Sequence, residues 1–323
     1  MHRRVLKDRY ELQDPLGGGS ASTTYLAQDS ELGARCVVKE LSVGEVVRGD
    51  RGTHSFDADD FTKLIELFKR EARVLAHLDH PGIPRFIDHF SVASEDDTRL
   101  YTVQEYVQGE TLEALVRNGR HFTEDEAVNI CRRATAVLRY LHGRSPPLVH
   151  RDIKPSNVIL DADGTVHLVD FGLVLNRVGG GELDGRTIVG TYGYMPIEQY
   201  EARAQPQSDF CALGMTLVYV LSHKEPTKIS RRSMKLEFRS HVNVSEGFAQ
   251  VLERMIEPAP EDRFASADEL LDALVDGASD VVVYQPQQVV AAAGSPVAVR
   301  VMFVGISAML LVILAFLFLL APA

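Results

Sequence analysis

The chain has 323 residues, 45% of them hydrophobic and 24% charged, an ordinary globular balance with enough apolar material for one large domain or two lobes. Its formal net charge is -11, without a long basic run, which argues against nucleic acid as a main partner. Cys36, Cys131 and Cys211 are odd in number, far apart and set among apolar neighbours, so they read as buried free thiols of a reducing compartment rather than as a disulfide framework or zinc site.

The polar start "MHRRVLKDRYELQD" has no apolar core, so the expectation is that it is not a signal peptide. "YELQDPL", "TTYLAQDS" and "RCVVKEL" are short, β-rich and bounded by turn residues, which predicts strands. Between the first two, "LGGGSASTTY" carries Gly17, Gly18 and Gly19; taken alone, such a run is a loop. The polar segment 44–60, rich in Gly and Asp, predicts a solvated loop. "FTKLIELFKREARVLAHL" sets Phe61, Leu64, Ile65, Phe68, Ala72 and Leu75 at helical spacing, and "RLYTVQEYV" is strand-like. "TEDEAVNICRRATAVLRYLHGR" opens with a capping box, Thr123 and Glu126. "SDFCALGMTLVYVLS", "VSEGFAQVLERMIE" and "SADELLDALVDG" are also helical, the last with a second capping box at Ser266 and Glu269. A strand-rich first third before a helix-rich remainder predicts an α+β fold of two lobes, with the ligand cleft between them.

The C-terminal end differs. Residues 276–299 are poor in charge and read as a juxtamembrane linker. Residues 300–321 read as a transmembrane helix: 301–320 hold no charge, and 20 residues at about 1.5 Å rise span a hydrocarbon core of about 30 Å. A core helix rarely stays apolar on every face for that length. With "APA" alone following, the expectation is a single-pass tail anchor in the cell membrane, with the folded domain cytoplasmic.

The chemistry concentrates in "VHRDIKPSNVIL". Asp152, Lys154 and Asn157 fall within six positions between apolar residues. Further on, "HLVDFGLV" puts Asp170 after an apolar strand. The bland reading is a polar turn before a strand. The functional one is a Mg²⁺ and phosphate site, since magnesium takes one or two carboxylates and completes its shell with phosphate and water.

These stretches resemble the H-R-D-x-K-x-x-N catalytic loop and D-F-G metal motif of eukaryotic-type (Hanks-type) serine/threonine protein kinases, in a bacterial-like form. Further motifs follow in the family's order: "CVVK", "FKREARVLAHLDHPGI", "TVQEYVQGETL", "GTYGYMPIEQ", "SDFCALG" and "PEDRF". The resemblance covers about Tyr10 to Val275. It implies a two-lobed kinase domain over 1–275, with a small β-rich N-lobe to about 107 and a larger helical C-lobe from about 108. It implies ATP and Mg²⁺ as cofactors, and protein Ser/Thr hydroxyls as substrates. Asp152 would orient the acceptor hydroxyl, and Lys154 would offset charge on the transferred group. Lys39 would pin the phosphates, with Glu71 fixing its geometry. Asn157 and Asp170 would hold the metal. Leu16, Gly17, Gly19, Ser22, Thr24, Val37, Lys39, Glu105, Val107 and Ile159 would surround the nucleotide, with Gly18 a variable position. His150 and Phe171 are expected to pack, Glu198 and Arg263 to form a buried structural ion pair, and Asp209 to support the catalytic loop. Arg151 beside Asp152 implies control by a phosphate on the activation segment, with Thr187 the acceptor, Thr191 the "GT" threonine and a homodimer serving autophosphorylation.

Departures from the family pattern are Ser22 for the third loop glycine, Thr24 for a valine over adenine, the 44–60 insertion, the polar gate Gln104, and "MPIE" for Ala-Pro-Glu. Two other readings therefore stand beside the kinase: a nucleotide-binding pseudokinase acting as a membrane scaffold, and a kinase of small-molecule hydroxyls. Retention of Lys39, Glu71, Asp152, Asn157 and Asp170 weighs against the first. The peptide-groove motif "GTYGYMPIEQ" weighs against the second.

Overall fold

The first lobe is built by alternation along one strand. In β4 (Ala34–Ser42), Cys36, Val38 and Glu40 turn to the buried side, while Val37 and Lys39 lie half-buried on the other face. Period-two geometry thus sends one set into a core and leaves Lys39 beside a cleft. The computed structural model describes residues 4–18, 22–45, 65–66, 68–69, 72–94, 97–171, 193–201 and 203–275.

Strand β4 belongs to a six-stranded antiparallel sheet of β1 (Val5–Leu6), β2 (Tyr10–Gly18), β3 (Ser22–Asp29), β4, β5 (Phe86–Ala93) and β6 (Thr98–Glu105), in the order β1-β2-β3-β4-β6-β5. Register pairs Lys39 with Thr24 on one side and Thr102 on the other, and Val37 with Gln104. The side away from the cleft packs Tyr10, Leu12, Ala27, Cys36, Val38, Tyr101 and Val103 into a small core. The described residues of 65–75 are helical, as their spacing predicts.

The second lobe holds β7 (Glu110–Thr111), α1 (Leu112–Arg117), α2 (Glu124–His142), the pair β8 (Val158–Leu160) and β9 (Val166–Leu168), α3 (Ile197–Tyr200), α4 (Pro206–Ser222), the hairpin β10 (Arg231–Arg232) and β11 (Lys235–Leu236), α5 (Glu246–Met255) and α6 (Ala267–Ala273). Helix α2 starts at the predicted capping box: Thr123 Oγ1 accepts from the Glu126 N–H, and the Glu126 carboxylate accepts from the Thr123 N–H. At α6, Ser266 caps Glu269 as predicted, but the Glu269 carboxylate accepts from the Ala265 N–H instead. Helix α4 is buried from Ser208 through Val220 and forms the centre of the lobe. Gly214 lets α5 approach it, because a Cβ there would stand 2.7 Å from Ile256 Cγ2 and 2.9 Å from Met255 Cβ. Arg132 of α2, itself buried, donates to the Leu274 carbonyl at 2.7 Å and ties down the end of α6.

The three cysteines are buried free thiols, as expected. Burial pushes Cys36 and Cys211 up to about 11 and Cys131 up to about 12, so all three are held as unreactive thiols. The chain divides into Met1–Val282 and Val283–Ala323, and only the first unit holds described residues. The expected linker and transmembrane helix, 276–299 and 300–321, lie outside them. Among the described residues no helix is long and apolar enough to cross a membrane.

Candidate active site

A cavity of about 750 Å³ opens between the two lobes. Its roof is the β2–β3 hairpin and β4, contributing Leu16, Gly17, Ser22, Thr24, Val37 and Lys39. The connection after β6 contributes Glu105 and Val107, with Gln104 behind them. The floor is Asp152, Lys154, Asn157, Ile159 and Asp170. Apart from Gly19 and Glu71, which lie outside the described residues together with Thr187 and Thr191, every nucleotide, metal and catalytic position expected from the sequence lines this one cavity. The Glu105 N–H donates to the Arg85 carbonyl at 2.8 Å, which ties this edge of the cavity to the segment before β5.

The catalytic loop is held from below by α4. Asp209, in the first turn of that helix and 1% exposed, accepts from the His150 N–H at 2.8 Å and the Arg151 N–H at 2.9 Å. Its Oδ2 also lies 2.8 Å from His142 Nε2. These contacts seat a chain whose Arg151 is left-handed, at φ +70°. His150 is fully buried, with its ring 4.4 Å from that of buried Phe171, so both pack as expected. Burial pulls His150 below the ordinary histidine range and keeps it neutral.

Above this seat, Asp152 Oδ2 accepts from Lys154 Nζ at 2.9 Å and from Asn157 Nδ2 at 2.8 Å. Both donors sit on one oxygen, Oδ2. Asn157 stands at the end of the 3-10 turn Pro155–Asn157, and its Nδ2 also reaches the Asp152 carbonyl at 2.9 Å. Asn157 and Asp170 both line the cavity, and the Asn157 amide oxygen accepts from Ser156 Oγ at 3.4 Å. One neutral and one anionic oxygen suit Mg²⁺, which leaves most of its shell to phosphate and water. Lys39 Nζ lies 3.4 Å from Asp170 Oδ1, bringing the roof cation to the floor carboxylate. Among the described residues no group of three or more His, Cys, Asp and Glu is placed to hold a metal.

Further along, Arg263 and Glu198 form the expected buried ion pair at 2.6 Å. Desolvation opposes the charge on Glu198, but donation from Arg263 and Ser208 outweighs it and holds the carboxyl below its usual range. Tyr194 is buried, with its hydroxyl donating to Glu225 Oε2 at 2.8 Å. Sequence reasoning missed His142, Ser208 and Gln199, whose Nε2 donates to the Arg151 carbonyl at 2.6 Å. His142 and Gln199 work through partners 67 and 48 residues away, and Ser208 reaches Glu198 across the turn between α3 and α4. One assignment is corrected. Gly18, expected to be variable, has φ +152°, and a Cβ on it would stand 2.5 Å from the Ser22 carbonyl oxygen. Among the described residues nothing lies within 4 Å of a Cβ at Gly17, which lines the cavity, so a side chain there would take up cavity space.

The pattern of the protein kinase domain matches residues 10–274. Serine/threonine-protein kinase B of Synechocystis sp. is 36% identical over 284 residues, covering 83% of this chain and 46% of that protein. Serine/threonine-protein kinase PknA of Nostoc sp. is 35% identical over 296 residues, covering 88% and 49%. The chain thus spans about half the length of these curated relatives. The fold resembles the crystal structure of the Mycobacterium tuberculosis PknI kinase domain, with a TM-score of 0.63 at 22% identity, over 85% of this chain and 98% of that one.

Proposed function

The chain belongs to the protein kinase domain family, and from that membership we propose that it is a serine/threonine protein kinase transferring the γ-phosphoryl group of ATP to protein hydroxyls. The observation that carries the reading is the state of Asp152: its carboxylate is fixed on Oδ2 by Lys154 and Asn157, in the same cavity as Lys39 and Asp170. Phosphoryl transfer asks for positioning and charge neutralisation more than for covalent chemistry, and this arrangement offers both. Asp152 Oδ1 orients the acceptor hydroxyl and takes its proton. Lys154 offsets charge on the group in flight. Lys39 holds phosphate oxygens against the roof, with Glu71 as its proposed partner. Val37 and Ile159 flank the adenine. Mg²⁺, when bound by Asn157 and Asp170, supplies neutralisation of phosphate charge.

The proposal extends to attachment and control. The uncharged run 301–320 supports a membrane anchor, with the domain 1–275 on the cytoplasmic side. Arg151 beside Asp152 supports control by a phosphate on Thr187, added within a homodimer. Deleting 300–321 is expected to move the protein from the membrane to the soluble fraction. Mass spectrometry of active protein is expected to find phosphate on Thr187, and finding it elsewhere alone would remove that site.

The test of the activity uses the full chain in mild detergent with radiolabelled ATP. The wild type is expected to label protein serine or threonine, and Asp152→Asn to lose roughly 10²-fold or more in rate. Negligible labelling by both, with ATP still bound, would favour a nucleotide-binding scaffold.

A further inference from the structure

If the kinase reading holds, one side chain outside the chemistry controls the backbone that carries it. Arg151 is left-handed, a conformation that a residue with a Cβ adopts under constraint. Its two flanking peptide planes are pinned separately. Asp209 Oδ1 accepts from the Arg151 N–H at 2.9 Å and so restrains rotation about N–Cα. Gln199 Nε2 donates to the Arg151 carbonyl at 2.6 Å and restrains rotation about Cα–C. That second plane contains the amide nitrogen of Asp152, so Gln199 sets the direction in which Asp152 leaves the loop. The other restraint on this plane is long: the Asp152 N–H reaches His150 Nδ1 at 3.4 Å.

Gln199 is mounted rigidly. It sits in α3 directly after Glu198, whose carboxylate is held by Arg263 and Ser208 in the buried interior. The Arg263 guanidinium also donates to the carbonyls of Glu257 and Pro258 in the loop before α6 and to the Gln207 carbonyl at the start of α4, which fixes that anchor to both. Gln199 does not line the nucleotide cavity. We infer that Gln199 is a positioning residue for phosphoryl transfer, acting through the Arg151 carbonyl to aim Asp152.

The test compares the full chain in mild detergent as wild type, Gln199→Met, Gln199→Glu, Asp152→Asn and the Gln199→Met/Asp152→Asn double variant. Methionine keeps the length without a donor, and glutamate sets an acceptor against an acceptor. Because misplacement on the order of 1 Å can cost about 10²-fold, both Gln199 variants are expected to lose roughly 10-fold or more in kcat. KM for ATP and the thermal midpoint are expected to hold. In the double variant Gln199→Met is expected to add nothing to the Asp152→Asn loss, since both act at one group. Unchanged kcat in both single variants, or a full additive loss in the double, would overturn the inference. Amide exchange at Asp152 supplies a readout independent of activity: faster exchange in Gln199→Met supports the clamp, and unchanged exchange removes it. A wild type without Asp152-dependent transfer would sink the kinase reading while this measurement still decides the clamp.

Discussion

Arg263 grips Glu198 with both terminal nitrogens, Nη1 at 2.6 Å and Nη2 at 3.3 Å, where the two side chains are 1% and 7% exposed. Such a pair cannot fall back on water when one partner is lost. Arg263→Ala strands the Glu198 carboxylate and three backbone carbonyls, and is expected to destabilise the domain by about 3–5 kcal/mol. At about 2–4 °C per kcal/mol the thermal midpoint should fall by roughly 6–20 °C. Arg263→Lys should recover little, since an ammonium cannot reproduce the fork. A loss of under about 1 kcal/mol would show that the pair is solvated in solution.

Lys39 gives the opposite case. Its ion pair with Asp170 is longer, at 3.4 Å, and the side chains are 33% and 36% exposed. A pair of that kind contributes about 0–1 kcal/mol, so Lys39→Met should leave the thermal midpoint within a few degrees. Phosphate labelling should nevertheless fall by about 10²-fold or more, because the cation aimed at the phosphates is gone. A variant that lost stability in step with activity would assign Lys39 a structural role.

What the sequence made legible follows what each signal encodes. The short, β-rich run "RCVVKEL" was legible as a strand, but the faces of Cys36, Val37 and Val38 were not, because three apolar residues in a row show no alternation. The motif residues Asp152, Lys154, Asn157 and Asp170 were legible because their spacing serves one loop and one turn. Gln199 and His142 were not, since their partners lie 48 and 67 residues away and only the folded chain brings them together. Strand β1 escaped because Val5–Leu6 is too short to show a period. Gly18 was misjudged for a different reason: the motif says which backbone nears a phosphate, whereas hairpin twist decides which residue takes a positive φ.

The glycines of the roof separate accordingly. Gly18→Ala must move the Ser22 backbone, whose carbonyl oxygen would be 2.5 Å from the new Cβ, and should lower stability as well as labelling. Gly17→Ala meets no atom of the described residues within 4 Å and should keep the fold while raising KM for ATP. Ser22→Gly, which removes a side chain from the cavity roof, should lower KM for ATP. Steady-state kinetics beside thermal melts would check all three, and equal stability of the two alanine variants would contradict the hairpin geometry.

Acid should weaken the fold in two stages. Burial holds His150 below the ordinary histidine range, and burial likewise lowers His80 to about 4. The unfolded chain therefore takes up these protons first, near pH 6.5. Stability is full above that pH and falls below it, by at most about 1.4 kcal/mol per pH unit for buried His150. Glu198, held below its usual range, adds its loss as pH falls through roughly 4.3 and lower. Urea unfolding at about pH 7.5 and 5.5 should show a lower midpoint at 5.5. Equal midpoints would mean that the folded protein admits the histidine protons.

Asn157 carries two duties that substitution can separate. Its amide nitrogen donates to Asp152 Oδ2 at 2.8 Å and to the Asp152 carbonyl at 2.9 Å, while the residue lines the cavity with Asp170, where we place the metal. Asn157→Asp keeps an oxygen for a cation and adds charge, so the apparent affinity for Mg²⁺ should hold or rise. The donor, however, becomes an acceptor within hydrogen-bond distance of another carboxylate. Like charges so close favour a proton on one of them, and Asp152 loses the restraint on Oδ2. Labelling should therefore fall by roughly 10-fold or more even at saturating Mg²⁺, and the acid limb of the pH–rate profile should move to higher pH. If added Mg²⁺ restored the full rate with an unshifted profile, Asn157 would act at the metal alone.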